Sequence, residues 1–191
     1  MTKRTPVRDC GETIAPGESA RPFARSVVSA ALSRASSVEL QPSLDAVGTP
    51  ASSGHWVVVD LETTGLGAGA EITEIGAVRV RNGAVVEEFS SLVKPSRPIP
   101  PFITSLTGIP PAMVADADPI ASVLERFMEW SGLGAEESPV LVAHNASFDV
   151  GFLRRATRAC ARPWPRIRVV DTLALARLAL PRPLVRNHKL G

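Results

Sequence analysis

The sequence predicts an α/β protein: a mixed five-stranded sheet, made of a three-strand antiparallel meander plus two parallel strands, flanked by helices. Three observations carry that prediction. Residues 56–59 (WVVV) form a β-branched and aromatic run that reads as a buried central strand and ends in two carboxylates, Asp60 and Glu62. Asn82-Gly83 lies between two apolar runs, the strongest short-range hairpin signal. Beyond residue 119, helical periodicity alternates with short apolar runs, the pattern of strands joined through crossover helices.

In chain order, residues 1–53 are rich in Ser, Ala, Pro and Arg and lack sustained periodicity, so they read as a disordered N-terminal arm. Within it, residues 24–34 have the composition of a short helix. The Arg- and Ser-containing start has some likeness to an organellar transit peptide, but Asp9, Glu12 and Glu18 count against one. The domain proper is expected over residues 54–191. Its first strand ends as Thr63, Thr64 and Gly65 turn the chain away. Residues 71–81 (EITEIGAVRVR) form the second strand, and residues 84–93 return antiparallel as the third. Four prolines between residues 95 and 101 force an irregular crossing, with Pro101 suited to the first position of a short helix. Residues 119–131 place Ile120, Val123, Leu124, Phe127 and Met128 on one helical face, and Gly132 ends that helix. Residues 139–143 make a buried fourth strand running straight into His144-Asn145. Ser147 is the expected N-cap of the next helix, which buries Phe148, Phe152 and Leu153 and presents Arg154, Arg155 and Arg158. Residues 167–170 form the fifth strand, and Asp171 caps a last helix closed by Pro181 and Pro183.

Composition narrows the function classes. No apolar run approaches the roughly 20 residues of a membrane span, so no membrane partner is expected. Two distant cysteines, Cys10 and Cys160, argue against a disulfide framework and for a reducing compartment, the cytoplasm. The net charge of +2 conceals an asymmetry: residues 55–150 hold 5 Lys+Arg against 13 Asp+Glu, whereas residues 151–191 hold 10 against Asp171 alone. An acidic body with a basic end suits a protein that grips a polyanion while gathering cations elsewhere.

Asp60 and Glu62, two residues apart on an extended chain, project to the same side at roughly 6 to 7 Å along the strand. Two carboxylates at the end of a buried strand repel one another and resist desolvation unless a cation sits between them. With strands 1 and 4 adjacent, Asp149 in the first turn of the following helix joins them at one sheet edge. Hard oxygen donors without clustered His or Cys select Mg²⁺ or Mn²⁺ over zinc.

The joint pattern DLETTG (60–65), LTGI (106–109), HNASFD (144–149) and VVDT (169–172) resembles the DEDDh-type 3′ to 5′ exonucleases, the family of the proofreading epsilon subunit of DNA polymerase III. The resemblance covers residues 55–191. It implies a ribonuclease H-like fold and two Mg²⁺ or Mn²⁺ ions, with Asp60 bridging both. Glu62 would bind the ion that activates water, and Asp149 the other. The backbone around Leu61, Thr63 and Thr64 would receive the terminal nucleotide, Leu106 and Thr107 would lie against the last bases, and Asn145 and Phe148 would line the substrate channel. Helix periodicity explains Phe148 equally well as core. His144 belongs to the second motif and reads as structural. The implied partners are DNA 3′ ends, single-stranded or frayed, with RNA as an alternative, and a DNA polymerase subunit.

The family's remaining motif, a histidine followed five residues later by an aspartate, lies downstream of a segment matching residues 188–191, so the chain reads as ending before it. His188 cannot substitute for that base. Catalysis by the chain as given is expected to be impaired. The leading expectation is a DNA exonuclease domain for proofreading or repair. The alternatives are an RNA-trimming enzyme like ribonuclease T or oligoribonuclease, and a non-catalytic nucleic-acid-binding or polymerase-associated module. The likeness is greatest to domains of high-GC bacteria, in keeping with 18 Arg against 3 Lys, and some of those continue into an endonuclease like the excinuclease C subunit.

Overall fold

The computed structural model of the protein describes residues 50–180. The 24–34 segment, the prolines at 181 and 183, and His188 lie outside the described residues. A turn of 3₁₀ helix at Ala51–Ser53 precedes the sheet, held by the Trp56 indole N–H donating to the Ala51 carbonyl at 3.0 Å. An aromatic of the first strand thus reaches back to fix the turn just before it.

Five strands, β1 (His55–Thr63), β2 (Ile72–Arg81), β3 (Ala84–Leu92), β4 (Val140–Ala143) and β5 (Val169–Asp171), form one sheet in the order β3-β2-β1-β4-β5. The first three pair antiparallel, and β4 lies parallel to both β1 and β5. This is the expected meander plus parallel pair with β1 at the centre. The hairpin turns on Asn82 (φ 50°) and Gly83 (φ 75°), the paired left-handed residues that match the twist of the strands on either side.

Alternation along β1 is sharper than a strand buried on both faces: Val57, Val59, Leu61 and Thr63 are buried while Trp56 and Val58 are only half so. The strand also runs on through Asp60 and Glu62 to Thr63, two residues before the chain bends at Gly65. Thr63 stays in the ladder because it still has a partner, Ile72, across a bulge. β5 sits two residues later than expected, since it is Val169, Val170 and Asp171 that register against Leu141, Val142 and Ala143.

Helices cover the sheet: α1 (Pro101–Thr107), α2 (Pro111–Val114), α3 (Ile120–Ser131), α4 (Ser147–Ala159) and α5 (Thr172–Ala179). Pro101 occupies the first position of α1, and Gly108 ends that helix at φ 70°. The expected stripe of α3 supplies Val123, Leu124 and Phe127, all fully buried, to a core that includes Val57, Val59, Leu61, Leu141, Phe152 and Leu153. Phe127 packs edge-on against Phe89, ring centroids 5.5 Å apart, and Trp130 lies 5.4 Å from the same Phe89 ring. The Arg79 guanidinium donates to the Trp130 carbonyl and lies over its indole, closing this cluster toward solvent. A second, smaller core of Ile99, Ile109 and Val114 anchors α1 and α2.

Candidate active site

The site is assembled where β1, β4 and the first turn of α4 meet. Asp60 and Glu62 arrive on the last third of β1. Asp149, only 3 % exposed, arrives from α4, and its Oδ1 accepts a hydrogen bond from the Leu61 N–H at 3.2 Å. That bond spans 88 residues of sequence and locks the helix start to the strand between the two other acids.

Glu62 and Asp149 both sense the charge of Asp60. Burial, and then the charges of Asp60 and Glu74, push Glu62 up to about 7. Burial, then the charge of Asp60, push Asp149 up to about 7 despite N–H donors at Leu61 and its own backbone. Asp60 is also raised by burial, an effect offset in part by the field of His144 and by the Leu61 N–H, and it keeps one side open to solvent. None of the three is ion-paired to a Lys or Arg among the described residues. No three His, Cys, Asp or Glu side chains among the described residues already stand as a group able to hold a metal ion. The donor chemistry nevertheless fits a hard divalent cation: oxygen ligands only, mutually repelling, partly desolvated and without a cationic partner.

The loop that delivers Asp149 is fixed from the next strand. Asp171 Oδ1 accepts from Asn145 N (3.0 Å), Leu173 N (2.9 Å) and Ala174 N (3.4 Å), so one carboxylate caps α5 and holds the β4 to α4 turn. Burial pushes Asp171 up, but these N–H groups with that of Ala146 outweigh it and hold its carboxyl below the usual range. Asn145 takes the left-handed conformation (φ 62°) this turn needs. Ser147, the expected N-cap, is instead the first helical residue. The cap position falls to Ala146, and the Ser147 hydroxyl turns back to Asn145 Oδ1 at 3.4 Å. His144 Nδ1 lies 3.1 Å from Thr172 Oγ1, a second tie between the same two segments.

The expected substrate contacts divide. Leu106 is 68 % exposed on α1, which removes a core role. Thr107 spends its hydroxyl locally, donating to Ile103 O and accepting from Ile109 N. Thr63 is buried, its Oγ1 donating to the Gly65 carbonyl, and Thr64 pairs with Glu71 through both its N–H and its Oγ1. The Leu61 side chain is core and its N–H is committed to Asp149, so it positions an acid. Phe148 is half-buried, its ring 4.8 Å from Phe152, leaving one edge outward. Sequence reasoning missed Glu71, whose carboxylate takes Ser96 N (2.6 Å), Ser96 Oγ (2.5 Å) and Arg97 N (3.3 Å) and thereby ties the segment leading into α1 to Thr64. No local pattern announces such a clamp, because its partners lie about 25 residues away.

Two acids at the end of the central strand of a β3-β2-β1-β4-β5 mixed sheet, with a third acid bonded to that strand from the next helix, are an arrangement found in hydrolytic nucleases with the ribonuclease H-like fold. An exonuclease family profile matches residues 57–189, and the chain belongs to that family. It is 52% identical over 134 residues to a putative bifunctional exonuclease/endonuclease protein of Mycobacterium tuberculosis, covering 66% of this chain and 20% of that protein. It is 42% identical over 137 residues to the PolC-type DNA polymerase III of Listeria monocytogenes, covering 71% of this chain and 9% of the relative. Among solved structures, exonuclease X in complex with 5′ overhanging duplex DNA matches with a TM-score of 0.51 and 35% identity, over 66% of this chain and 65% of that one. A product-bound exonuclease I matches with a TM-score of 0.60, at 18% identity, over 70% of this chain and 34% of that one, a likeness of fold. The chain therefore spans a small part of the sequence relatives it matches. Among the described residues no helix is long and apolar enough to cross a membrane.

Proposed function

We propose that this domain is a metal-dependent 3′ to 5′ exonuclease that removes nucleotides from DNA ends in proofreading or repair, acting in the cytoplasm alongside a DNA polymerase subunit. The observation that carries the reading is the Asp149 to Leu61 bond, which draws a third buried acid to the strand bearing Asp60 and Glu62. The PolC-type relatives and the DNA-bound exonuclease X support DNA as the substrate.

Asp60, Glu62 and Asp149 would hold two Mg²⁺ or Mn²⁺ ions, which when bound supply charge stabilisation to the attacking and leaving oxygens of an in-line displacement at phosphorus. The remaining work belongs to the chain. Leu61 and the α4 turn fix Asp149, and Asp171 with Asn145 fixes that turn. Leu106 offers an exposed apolar surface to the terminal base, and the outward edge of Phe148 lines the path of the strand. Thr63 and Thr64 shape the bend at Gly65, beside which the terminal nucleotide would sit.

The test uses one single-stranded DNA labelled at its 3′ end and another labelled at its 5′ end. With Mn²⁺ or Mg²⁺ the first should release labelled mononucleotide as its first product, at the low rate expected of an impaired chain, and the second should give a ladder of shortening products. EDTA and Asp60→Ala should each abolish both. Release that survives EDTA, or that starts from the 5′ end, overturns the reading, and equal or faster attack on the matching RNA moves the substrate to RNA.

A further inference from the structure

The basic end of the chain has a structural form that the carboxylate site does not account for. Residues 150–170 contain six arginines, Arg154, Arg155, Arg158, Arg162, Arg166 and Arg168, and no acid. All six are exposed, on the outer side of α4 and on the segment that returns from it to β5. Ordinary structural duties absorb two of them. Arg162 pairs with Glu125 at 2.6 Å, and Arg158 lies in the last turn of α4, where the helix dipole favours a cation. Among the described residues the other four form no ion pair. Arg154 and Arg155 instead rest on aromatic rings, Arg154 5.8 Å above Trp164 and Arg155 4.0 Å above Phe152. Stacking holds the guanidinium planes while leaving their N–H groups to solvent.

The placement is directional. α4 starts with Asp149 in its first turn and runs about 20 Å at 1.5 Å per residue. Arg154, Arg155 and Arg158 follow Asp149 along the exposed side of the helix, with Arg155 seated over the ring of the buried Phe152, so a cationic row leads away from the acids. The rest of the described body is acidic, which makes this face the one suited to a polyanion.

We infer that the arginine face of α4 and the α4 to β5 segment is a track for the polynucleotide upstream of the 3′ end. The substrate class is then a long strand and not a dinucleotide or short oligonucleotide. The inference rests on the nuclease reading of the site, and strand binding without hydrolysis tests it separately.

Anisotropy of 5′-fluorescein oligothymidylates of 5 and 20 nucleotides, measured with the 191-residue chain in EDTA, reads strand binding without hydrolysis, and the variants assign it to this face. The longer strand should bind about tenfold or more tighter at low salt, with affinity falling steeply as salt rises. The triple variant Arg154→Gln/Arg155→Gln/Arg166→Gln should lose the length preference. Its salt slope should be shallower by about 2, the counterion release of three single-strand phosphates at about 0.7 each. The matching triple Lys variant should keep the slope, and Arg126→Gln, whose arginine pairs with Asp118 on α3's side, should not change it. Equal affinity for both lengths, or a slope unchanged in the Gln variant with native far-UV circular dichroism, overturns the inference. Arginine-dependent binding of polyglutamate with no binding of the oligonucleotide also overturns it and points to an acidic protein. Hydrolysis with Mn²⁺ at one rate from 20 nucleotides down to 2 would overturn the track and leave the nuclease reading intact. Length-dependent binding without any hydrolysis would do the reverse.

Discussion

At the scale of single residues, the site stores unfavourable charge. Asp149 and Glu62, each pushed up to about 7, have ordinary values near 4 in an unfolded chain. Between those values the folded protein binds more protons than the unfolded one, so in the absence of divalent ions its stability falls as pH rises from about 4.5 to about 8. Thermal melts in EDTA should show a falling Tm across that window. Asp149→Asn should flatten the dependence, and millimolar Mg²⁺ at pH 8 should raise the wild-type Tm while leaving the variant's nearly unchanged. A wild-type Tm that rises steadily to pH 8 would mean that the acids are compensated within the fold. The same variant should lower the rate of nucleotide release by about 10²-fold or more, because it removes the charge that would hold a metal ion without altering shape. The three acids of the candidate site stand in motifs of the sequence. What draws Asp149 to the strand, the Leu61 N–H, was not legible there, because alternation along a strand says which way a side chain points and nothing about which helix will arrive beside it.

At the scale of elements, the sequence spoke clearly where a local rule has no rival. Asn-Gly set the hairpin, Pro101 opened α1, and 3.6-residue periodicity gave α3 its buried face. It spoke less clearly where a cap and a turn compete for the same residues. Ser147 has the chemistry of an N-cap, yet the left-handed Asn145 starts the helix a residue earlier, and the anchoring role passes to Asp171 on another strand. The four-residue α2, between Pro110 and Ala115, is too short to show any period. Asp171 therefore serves two elements at once, and its removal should cost more than a surface cap. Asp171→Ala is expected to destabilise by about 1 to 2 kcal/mol, the upper part of the capping range, read as a shift in urea midpoint. Asp171→Asn, which keeps an acceptor oxygen, should recover more than half of that. If Ala and Asn are equivalent, the carboxylate's bond to Asn145 contributes nothing.

At the scale of the whole molecule, the sheet order does the positioning. Placing β1 between β2 and β4 brings the end of the central strand next to the start of α4, and only a parallel β4 can do so, since an antiparallel one would deliver its helix to the opposite edge. That arrangement holds as long as α3 and α4 stay seated on the sheet, and their shared anchor is the cluster of Phe127, Phe89 and Trp130 with Leu124 and Leu153. Phe127 is fully buried. Phe127→Ala should therefore cost about 3 to 5 kcal/mol, a large share of the roughly 5 to 15 kcal/mol that holds a domain together. Phe127→Leu, which leaves a smaller cavity, should cost clearly less. The comparison separates scaffold from chemistry. In urea titrations the Ala midpoint should drop steeply, while nucleotide release per folded molecule, measured well below that midpoint, should stay near the wild-type value because Phe127 touches none of the three acids. A rate per folded molecule that falls in step with stability would mean that α3 packing sets the position of Asp149 as well as the integrity of the core.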